Sequence, residues 1–250
     1  MENYSQNLQN KIIAYYEDYY QSCGLKDFQE RAKERLLEEQ AESEKMKKLQ
    51  TTLMLPFSPK QKHFIFGAGT GGLAVVLAKE YNCSVFGIEP DEQEFEIIQQ
   101  KLKEANLPVD HFKKEFGEKL SFTDNQFDIV HCFTVLEHVA NVKKCLEEML
   151  RITKPGGLVY INTPNYSYPT ERHYKIIYPT FLPKFFGKIY LFLRGKPTKF
   201  IDSINFLKEK KLNKILLNIP NIIFYRVYMS GKFFRIYPTQ EIIMQKNSEI

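Results

Sequence analysis

The 250-residue chain has no run of eighteen or more apolar residues, so a membrane-spanning helix is not expected. Cysteine is scarce: Cys23, Cys83, Cys132 and Cys145 are scattered, with no C-x-x-C and no ligand-like spacing. That argues against a disulfide framework or a structural zinc site, leaves no metal to expect, and favours a reducing compartment. The opening residues MENYSQNLQNK lack the basic and apolar regions of a secretion signal, which leads to the expectation of a cytoplasmic protein. No internal repeat is present. Acidic residues are few only at one end. Residues 166–250 carry 15 basic and 5 acidic side chains, against 8 and 10 in residues 1–50 and 12 and 15 in residues 51–165. A basic third on a slightly acidic body fits an anionic partner (a phosphorylated substrate, a membrane surface or nucleic acid), or simply a solvated lysine-rich surface.

With 43% apolar residues over this length, the chain can bury a substantial core. Residues 11–25 read as a helix with an aromatic side, ending near Gly24. A second helix is expected over 27–53, with Phe28, Ala32, Leu36, Met46 and Leu53 on a stripe that Glu39, Ser43 and Gln50 interrupt. Pro56 and Pro59 mark a linker. From residue 62 strands and helices alternate. HFIF is a strand, LAVVLAKEY a helix and CSVFGI a strand. Asp91 and Glu94 form a capping box before EFEIIQQKLKEA, a third strand is expected at 109–113, and FDIVHC is the fourth. Asn141 starts a helix stopped by Pro155-Gly156-Gly157, and LVYINT follows as strand five. The alternation predicts an α/β fold, doubly wound around a mostly parallel sheet, with its ligand at the carboxyl ends of the strands. Beyond it lie a long aromatic and basic segment at 164–199, a helix expected at 204–212, and strand-like runs KILLNI, NIIFYRVYM and QEIIMQKN.

The stretch KHFIFGAGTGG carries most of the functional information. Gly67, Gly69 and Gly72 satisfy G-x-G-x-x-G, the dinucleotide pattern, and Gly67, Gly69 and Gly71 satisfy G-x-G-x-G. In either pattern the glycines let the backbone turn sharply beside a helix N-terminus that offers free N–H groups. Glu89, about twenty residues on at the tip of the second strand, is placed to accept bonds from ribose hydroxyls. An adenosine-containing cofactor follows, but the loop alone does not choose between NAD(P) and S-adenosylmethionine (SAM).

Downstream motifs make the choice. Asp124-Asn125-Gln126-Phe127-Asp128, Leu136-Glu137-His138-Val139 and Lys154-Pro155-Gly156-Gly157 follow the glycine loop in order. Over residues 60–165 the chain resembles the class I SAM-dependent methyltransferases, most closely the branch with ubiquinone-type and other small-molecule enzymes. The resemblance implies a Rossmann-like, seven-stranded sheet closed by an antiparallel C-terminal strand. It also implies four regions: an N-terminal helical extension (1–58), a SAM-binding core (59–165), an acceptor-binding insert (166–203) and a C-terminal completion of the sheet (204–250). Gly67, Ala68, Gly69, Thr70 and Gly71 would cradle the methionine end of SAM. Glu89 with Pro90 would hold the ribose, Glu115 and Phe116 would flank the adenine, and Phe133 would face the cofactor. Tyr15, Tyr16, Tyr19 and Tyr20 resemble the N-terminal helix that closes over the site in many such enzymes. One position departs from the pattern: Ile65 stands where the family usually has an acidic residue, two before the first glycine.

Methyl transfer needs alignment, exclusion of water and, for a protonated acceptor, a base. His138 and His173 are the candidates, because imidazole titrates near neutrality, whereas His131 is expected to lie buried in strand four. The insert combines aromatics with Arg172, Lys175, Lys184, Lys188, Arg194, Lys196 and Lys199, opposed only by Glu171. The expected acceptor is a small molecule, glycan or lipid-linked compound, with anionic groups compatible with the basic insert and methylation most simply on oxygen, and peripheral membrane contact through 181–199 is expected. Three other readings compete. An NAD(P)-dependent oxidoreductase leaves LEHV and the PGG turn unexplained. A non-catalytic SAM-binding protein is motivated by Ile65. An RNA-binding protein rests on the basic third, but with no RNA-binding motif in the chain a nucleic-acid partner is not expected.

Overall fold

The periodicities above become elements in a computed structural model that describes residues 4–53, 57–171, 173–178, 180, 183–198, 200–227 and 237–247. Ser5 accepts the Leu8 N–H and so caps α1 (Gln6–Ser22), which starts earlier than the aromatic residues suggest. The expected helix over 27–53 is broken: α2 (Phe28–Glu34) passes through a 3-10 turn at Arg35–Leu37 into α3 (Glu38–Leu53). The physical reason is tertiary. Glu38 and Arg35 reach buried partners that a continuous helix would turn elsewhere. Ala32 and Met46 lie on the buried stripe as expected, joined by Leu49; the side chain of Leu53 lies outside the described residues. Glu39 and Ser43 do not interrupt it. Both are buried and bonded, Glu39 accepting from Tyr4 Oη and Ser43 donating to Glu80 at 2.6 Å.

The alternating region gives β1 (Lys62–Phe66), α4 (Gly72–Lys79), β2 (Ser84–Ile88), α5 (Glu92–Glu104), β3 (Phe112–Lys113), β4 (Phe127–Phe133), α6 (Val142–Ile152) and β5 (Thr153–Pro164). Strand three is shorter than expected. Strand five is longer: α6 ends at Ile152, and the Pro155-Gly156-Gly157 turn lies inside β5 as an irregularity where the pairing with β4 skips register. Gly157 is needed there, since a Cβ would stand 2.9 Å from the Asp128 carbonyl oxygen of the neighbouring strand.

The insert folds as a hairpin, β6 (Thr170–Glu171) with β7 (Ile176–Ile177), followed by α7 (Lys184–Leu193). Tyr166, Tyr174, Tyr178, Leu191, Ile201 and Ile204 give it a small core of its own. Arg172, Phe181, Leu182 and Lys199 lie outside the described residues. The chain ends with α8 (Glu209–Leu216), β8 (Ile222–Val227) and β9 (Thr239–Lys246). Two expectations fail here. The helix lies at 209–216 rather than 204–212, and KILLNI is not a strand but the end of that helix and its turn. Leu212, Ile215, Leu216 and Ile219 recur at helical spacing, and that stripe packs on the sheet.

The main sheet has seven strands in the order β3-β2-β1-β4-β5-β9-β8, with β1 to β5 parallel and β9 antiparallel to both neighbours. Alternate residues of each strand face opposite layers. Phe64, Phe66, Val130 and Val159 pack toward α6 and α8, while Ile65, Ile129, Tyr160 and Ile243 pack toward α3, α4 and α5. Ile65 is therefore a core residue of the α3–α4 layer, 3% exposed.

Candidate functional site

The strand order reverses between β1 and β4, so the loops after these two strands lie side by side. Gly67, Gly69 and Gly71 all have positive φ, 77°, 54° and 87°, a region that favours glycine at these three positions. The Gly67 and Ala68 N–H groups both donate to the Ile88 carbonyl, at 3.1 and 2.8 Å, tying the loop to the end of β2. A Cβ on Gly67 would stand 2.4 Å from Val135, and one on Gly71 2.6 Å from Ile98. Gly69 is different. Its open side meets only the Glu94 carboxyl, 3.7 Å from the position a Cβ would take. The loop thus keeps one face for a ligand.

Three carboxyl groups surround that face. Glu89, 5% exposed, accepts the Gly69 N–H at 2.7 Å and the Asp91 N–H at 3.0 Å. Burial pushes its carboxyl up, and these two N–H groups oppose the shift. Pro90 connects Glu89 to the Asp91 cap of α5. The sequence capping box is half realised. Asp91 accepts the Glu94 N–H at 3.0 Å, but the Asp91 N–H goes to Glu89, and the Glu94 carboxyl lies near the Tyr15 hydroxyl instead. Burial first, then the Glu89 charge, pushes the Glu94 carboxyl up to about 8.

Glu38, at the start of α3, is the third carboxyl and the one that sequence reading missed. It accepts from Thr70 Oγ1 at 2.7 Å, from Arg35 at 2.9 Å and from Lys101 Nζ at 3.2 Å. Burial works against its charge, but Lys101, Arg35 and Thr70 together hold its carboxyl down at about 2. Tyr16 of α1 meets Thr70 at 3.3 Å and accepts from Arg35 at 2.6 Å. The N-terminal helices therefore bring an acid and an aromatic lid to the glycine loop. Ile65 carries no charge; Glu38 supplies one from another element. A sequence signal existed only in part: acids crowd the start of α3, but nothing local says which one turns inward.

The other expected cofactor residues lie nearby with mixed roles. Gly117 packs on the buried Phe66 ring, which places the Glu115–Phe116 loop over the end of β1. Phe116 is 73% exposed, while Glu115 accepts from Ser121, its N–H at 3.0 Å and its hydroxyl at 2.5 Å, rather than pointing along the loop. Phe133 is half-buried, with its ring 5.3 Å from Tyr160 and Lys45 Nζ 4.6 Å from its centroid.

After β4 the LEHV segment carries the second half of the site. Glu137 is fully buried; its carboxyl accepts from Thr163 Oγ1 at 3.0 Å and its carbonyl from the Asn205 N–H at 2.6 Å. His138 is exposed, and its ring lies 5.3 Å from that of His173. His173 donates from Nδ1 to Glu171 at 2.6 Å, and Glu171, 1% exposed, also accepts the Tyr174 N–H at 2.7 Å. The structure thus joins two histidines that are far apart in sequence and makes Glu171, the lone acid of the insert, a partner of His173. Desolvation by the surrounding insert, then the His173 ring, lowers His138 to about 4, so it is a neutral imidazole at pH 7. His131 is buried as expected, stacked on His63 with 2.9 Å between ring nitrogens, and belongs to the core.

A methyltransferase-domain family model matches residues 65–161. Within those residues the chain matches a methyltransferase domain. The ubiquinone biosynthesis O-methyltransferase of Rhizobium rhizogenes is 35% identical over 99 residues, covering 40% of this chain and 39% of that protein. The corresponding Azoarcus protein is 29% identical over 152 residues, 61% of this chain and 60% of its own. A Caenorhabditis elegans sterol 4-C-methyltransferase is 29% identical over 119 residues, 45% and 35% of the two chains. The chain thus spans between a third and three fifths of the length of these curated relatives. A SAM-dependent methyltransferase of Aquifex aeolicus has the same fold, with a TM-score of 0.56 and 17% identity over 85% of this chain and 93% of its own. So does one of Thermotoga maritima, at 0.51 and 18% over 98% and 100%.

The methyltransferase domain takes SAM as its cofactor, and its residues fit that molecule. SAM is cationic at its sulfonium and amino groups, and the open face of Gly69 is bordered by the carboxyl of Glu94, with Glu38 and Glu89 on the same loop. Glu89 has lone pairs left on both oxygens for ribose hydroxyls. One pH dependence follows from Glu94. Its carboxyl keeps a proton in the fold that the unfolded chain has released, so the stability that its burial costs grows as pH rises from about 4.5 toward about 8. Glu94→Gln should flatten that decline. Urea melts across this range check it, and an unchanged slope would place the titration elsewhere.

Proposed function

We propose that this protein transfers the methyl group of SAM to an oxygen of a small, largely apolar acceptor that enters between the LEHV segment and the insert. The observation that carries the reading is the acidic glycine loop, with its one open face at Gly69, set beside the exposed His138 ring and the Glu171–His173 pair. SAM supplies an electrophilic methyl group when bound. The chain's own residues do the rest. The glycine loop, Glu89 and Glu94 orient the cofactor, and Tyr15 and Tyr16 cover it from water. His138 and His173, with the Nδ1–H of His173 fixed by Glu171, take up the acceptor's proton. Relatives named for ubiquinone biosynthesis and for a sterol support an acceptor with an extended apolar part.

The surface of α7 extends the same reading. Phe185, Phe186, Phe192 and Leu193 are 68, 53, 75 and 76% exposed, and they alternate along the helix with Lys184, Lys188 and Arg194. A helix of this kind lies on an anionic bilayer with its rings in the headgroup boundary, where an apolar acceptor resides. Phe185→Ser with Phe192→Ser should reduce co-sedimentation with anionic vesicles at least about tenfold. Equal sedimentation of the variant and the parent would remove the membrane from the account.

The test of the function is calorimetric titration with SAM, S-adenosylhomocysteine and NAD(P)H in parallel, followed by transfer assays on quinol, sterol, glycan and phenol acceptors. Micromolar binding of the first two alone is the expected result. Binding of NAD(P)H alone would replace the reading with an oxidoreductase, and SAM binding with no turnover on any acceptor would leave a cofactor-binding protein without catalysis.

A further inference from the structure

Asn205 reaches the backbone on both sides of His138. Its own N–H donates to the Glu137 carbonyl at 2.6 Å, and its side-chain amide donates to the Val139 carbonyl at 2.5 Å. One residue thus holds the two carbonyls that bracket the candidate base. The segment needs such a hold, because it leaves β4 through strained backbone: Thr134, a β-branched residue, has φ 54°. Glu118 fixes the far end, accepting the Ala140 N–H at 2.9 Å and the Asn141 N–H at 3.0 Å.

Asn205 is itself held in place. Ile204 before it belongs to the small core of the insert, and Leu207 after it belongs to the core between the sheet and α6 and α8. The Leu207 carbonyl accepts from Gln240 Nε2 of β9 at 2.7 Å and from the Tyr166 N–H at 3.3 Å. The Phe206 ring lies 5.0 Å from that of Tyr166 and 5.8 Å from that of Tyr178. Asn205 therefore stands where the insert rejoins the sheet, outside α8, and its two donors turn toward the LEHV segment rather than along a helix. We propose that Asn205 is a positioning residue for the reaction: by holding the Glu137 and Val139 carbonyls it keeps the His138 ring against His173 of the insert, where the acceptor's proton is taken up. The inference rests on the methyltransferase reading only for what His138 does. Asn205 acts through the backbone of His138 and needs no contact with cofactor or acceptor.

Loss of the amide leaves the Val139 carbonyl without its donor, so the segment turns outward to find water and the ring goes with it. The titratable groups that face the ring are His173 and Glu171, both on the insert. Desolvation by the insert, then His173, holds His138 at about 4, and a ring that swings into water climbs back toward 6.5.

The experiment is a nitrogen-15 NMR titration of the five histidines in the full chain, for the parent, Asn205→Ala and Asn205→Leu. At pH 5 the parent His138 ring should be about nine-tenths neutral, and in both variants at least about half protonated. His63 and His131, in the core, should not move. Circular dichroism melts accompany each variant; where Asn205→Ala unfolds, Asn205→Leu, which keeps the bulk of the side chain, carries the test. Calorimetry with S-adenosylhomocysteine should give parental affinity in every sample. Parental protonation of His138 in the variants, or a parent ring already half protonated at pH 6.5, overturns the inference and leaves the methyltransferase reading. Weaker S-adenosylhomocysteine binding in the variants alone also overturns it, as the mark of a general loosening. No S-adenosylhomocysteine binding in any sample, with the His138 shift as expected, overturns the methyltransferase reading and leaves the clamp on His138.

Discussion

Glu38→Ala is expected to lower folding stability by about 3 kcal/mol, because it leaves the buried Lys101 with only the Glu39 carboxylate, 3.9 Å away, and takes a partner from the part-exposed Arg35. The side chains of Lys101 and Glu38 are 3% and 11% exposed, so water does little to replace the lost partner. The carboxyl sits at about 2 in the fold against an ordinary 4.5, a difference worth about 3 kcal/mol. Its folded value is the lower one, so this stability is complete above pH 4.5 and is lost as pH falls toward 2. Urea melts at pH 7 and pH 3.5 check both statements: the gap between parent and variant should narrow at the lower pH. A gap below about 1 kcal/mol at pH 7 would mean that the Arg35–Glu38–Lys101 cluster behaves as a solvated surface network. The same variant should bind SAM more weakly, since Thr70 loses the acceptor that orients it inside the glycine loop.

The second large effect lies at Glu89. Glu89→Ala should weaken SAM by about 10²–10³-fold, the loss of charge-assisted bonds to two ribose hydroxyls together with the anchor of the Gly69 N–H. Glu89→Gln separates these contributions. It keeps one acceptor oxygen for the Gly69 N–H and removes the charge, so its affinity should fall between parent and alanine variant. Calorimetry with SAM and S-adenosylhomocysteine reads both. Equal affinity in all three proteins would move the ribose away from β2 and would undo the placement of the cofactor.

The pattern of what each level of information supplied has a physical basis. Apolar spacing placed β1, α4, β2, α5, β4 and α6 within a few residues, because these elements bury a face at their own period. Three turn glycines and one strand-tip carboxylate announced the nucleotide-like loop, since a sharp turn beside a helix start is a local property of the chain. The order of the downstream motifs then identified the methyltransferase domain. Where local pattern competed with tertiary bonding, local pattern lost. The helix over 27–53 breaks at Arg35–Leu37, and the Pro155-Gly156-Gly157 turn is absorbed into β5. KILLNI looks strand-like as a short apolar run, yet its leucines and isoleucines meet the sheet only at helical spacing.

Charge placement was the least legible. Thr70 and Glu38 are 32 residues apart, Lys101 and Glu38 are 63 apart, and no local rule pairs them. The missing acid at Ile65 read as a defect because the sequence shows only the position two before the glycine, whereas the fold delivers a carboxylate from α3. His138 and His173 were separately visible as titratable side chains, but their proximity, and the role of Glu171 between β6 and His173, exist only once the insert closes on β4. The sequence by itself determined the sheet and the cofactor loop, set by spacings along the chain, and its ordered motifs carried the resemblance to methyltransferases. The tertiary structure alone decided which charges are buried together, because those energies depend on distance and desolvation between segments that the chain keeps far apart until it folds.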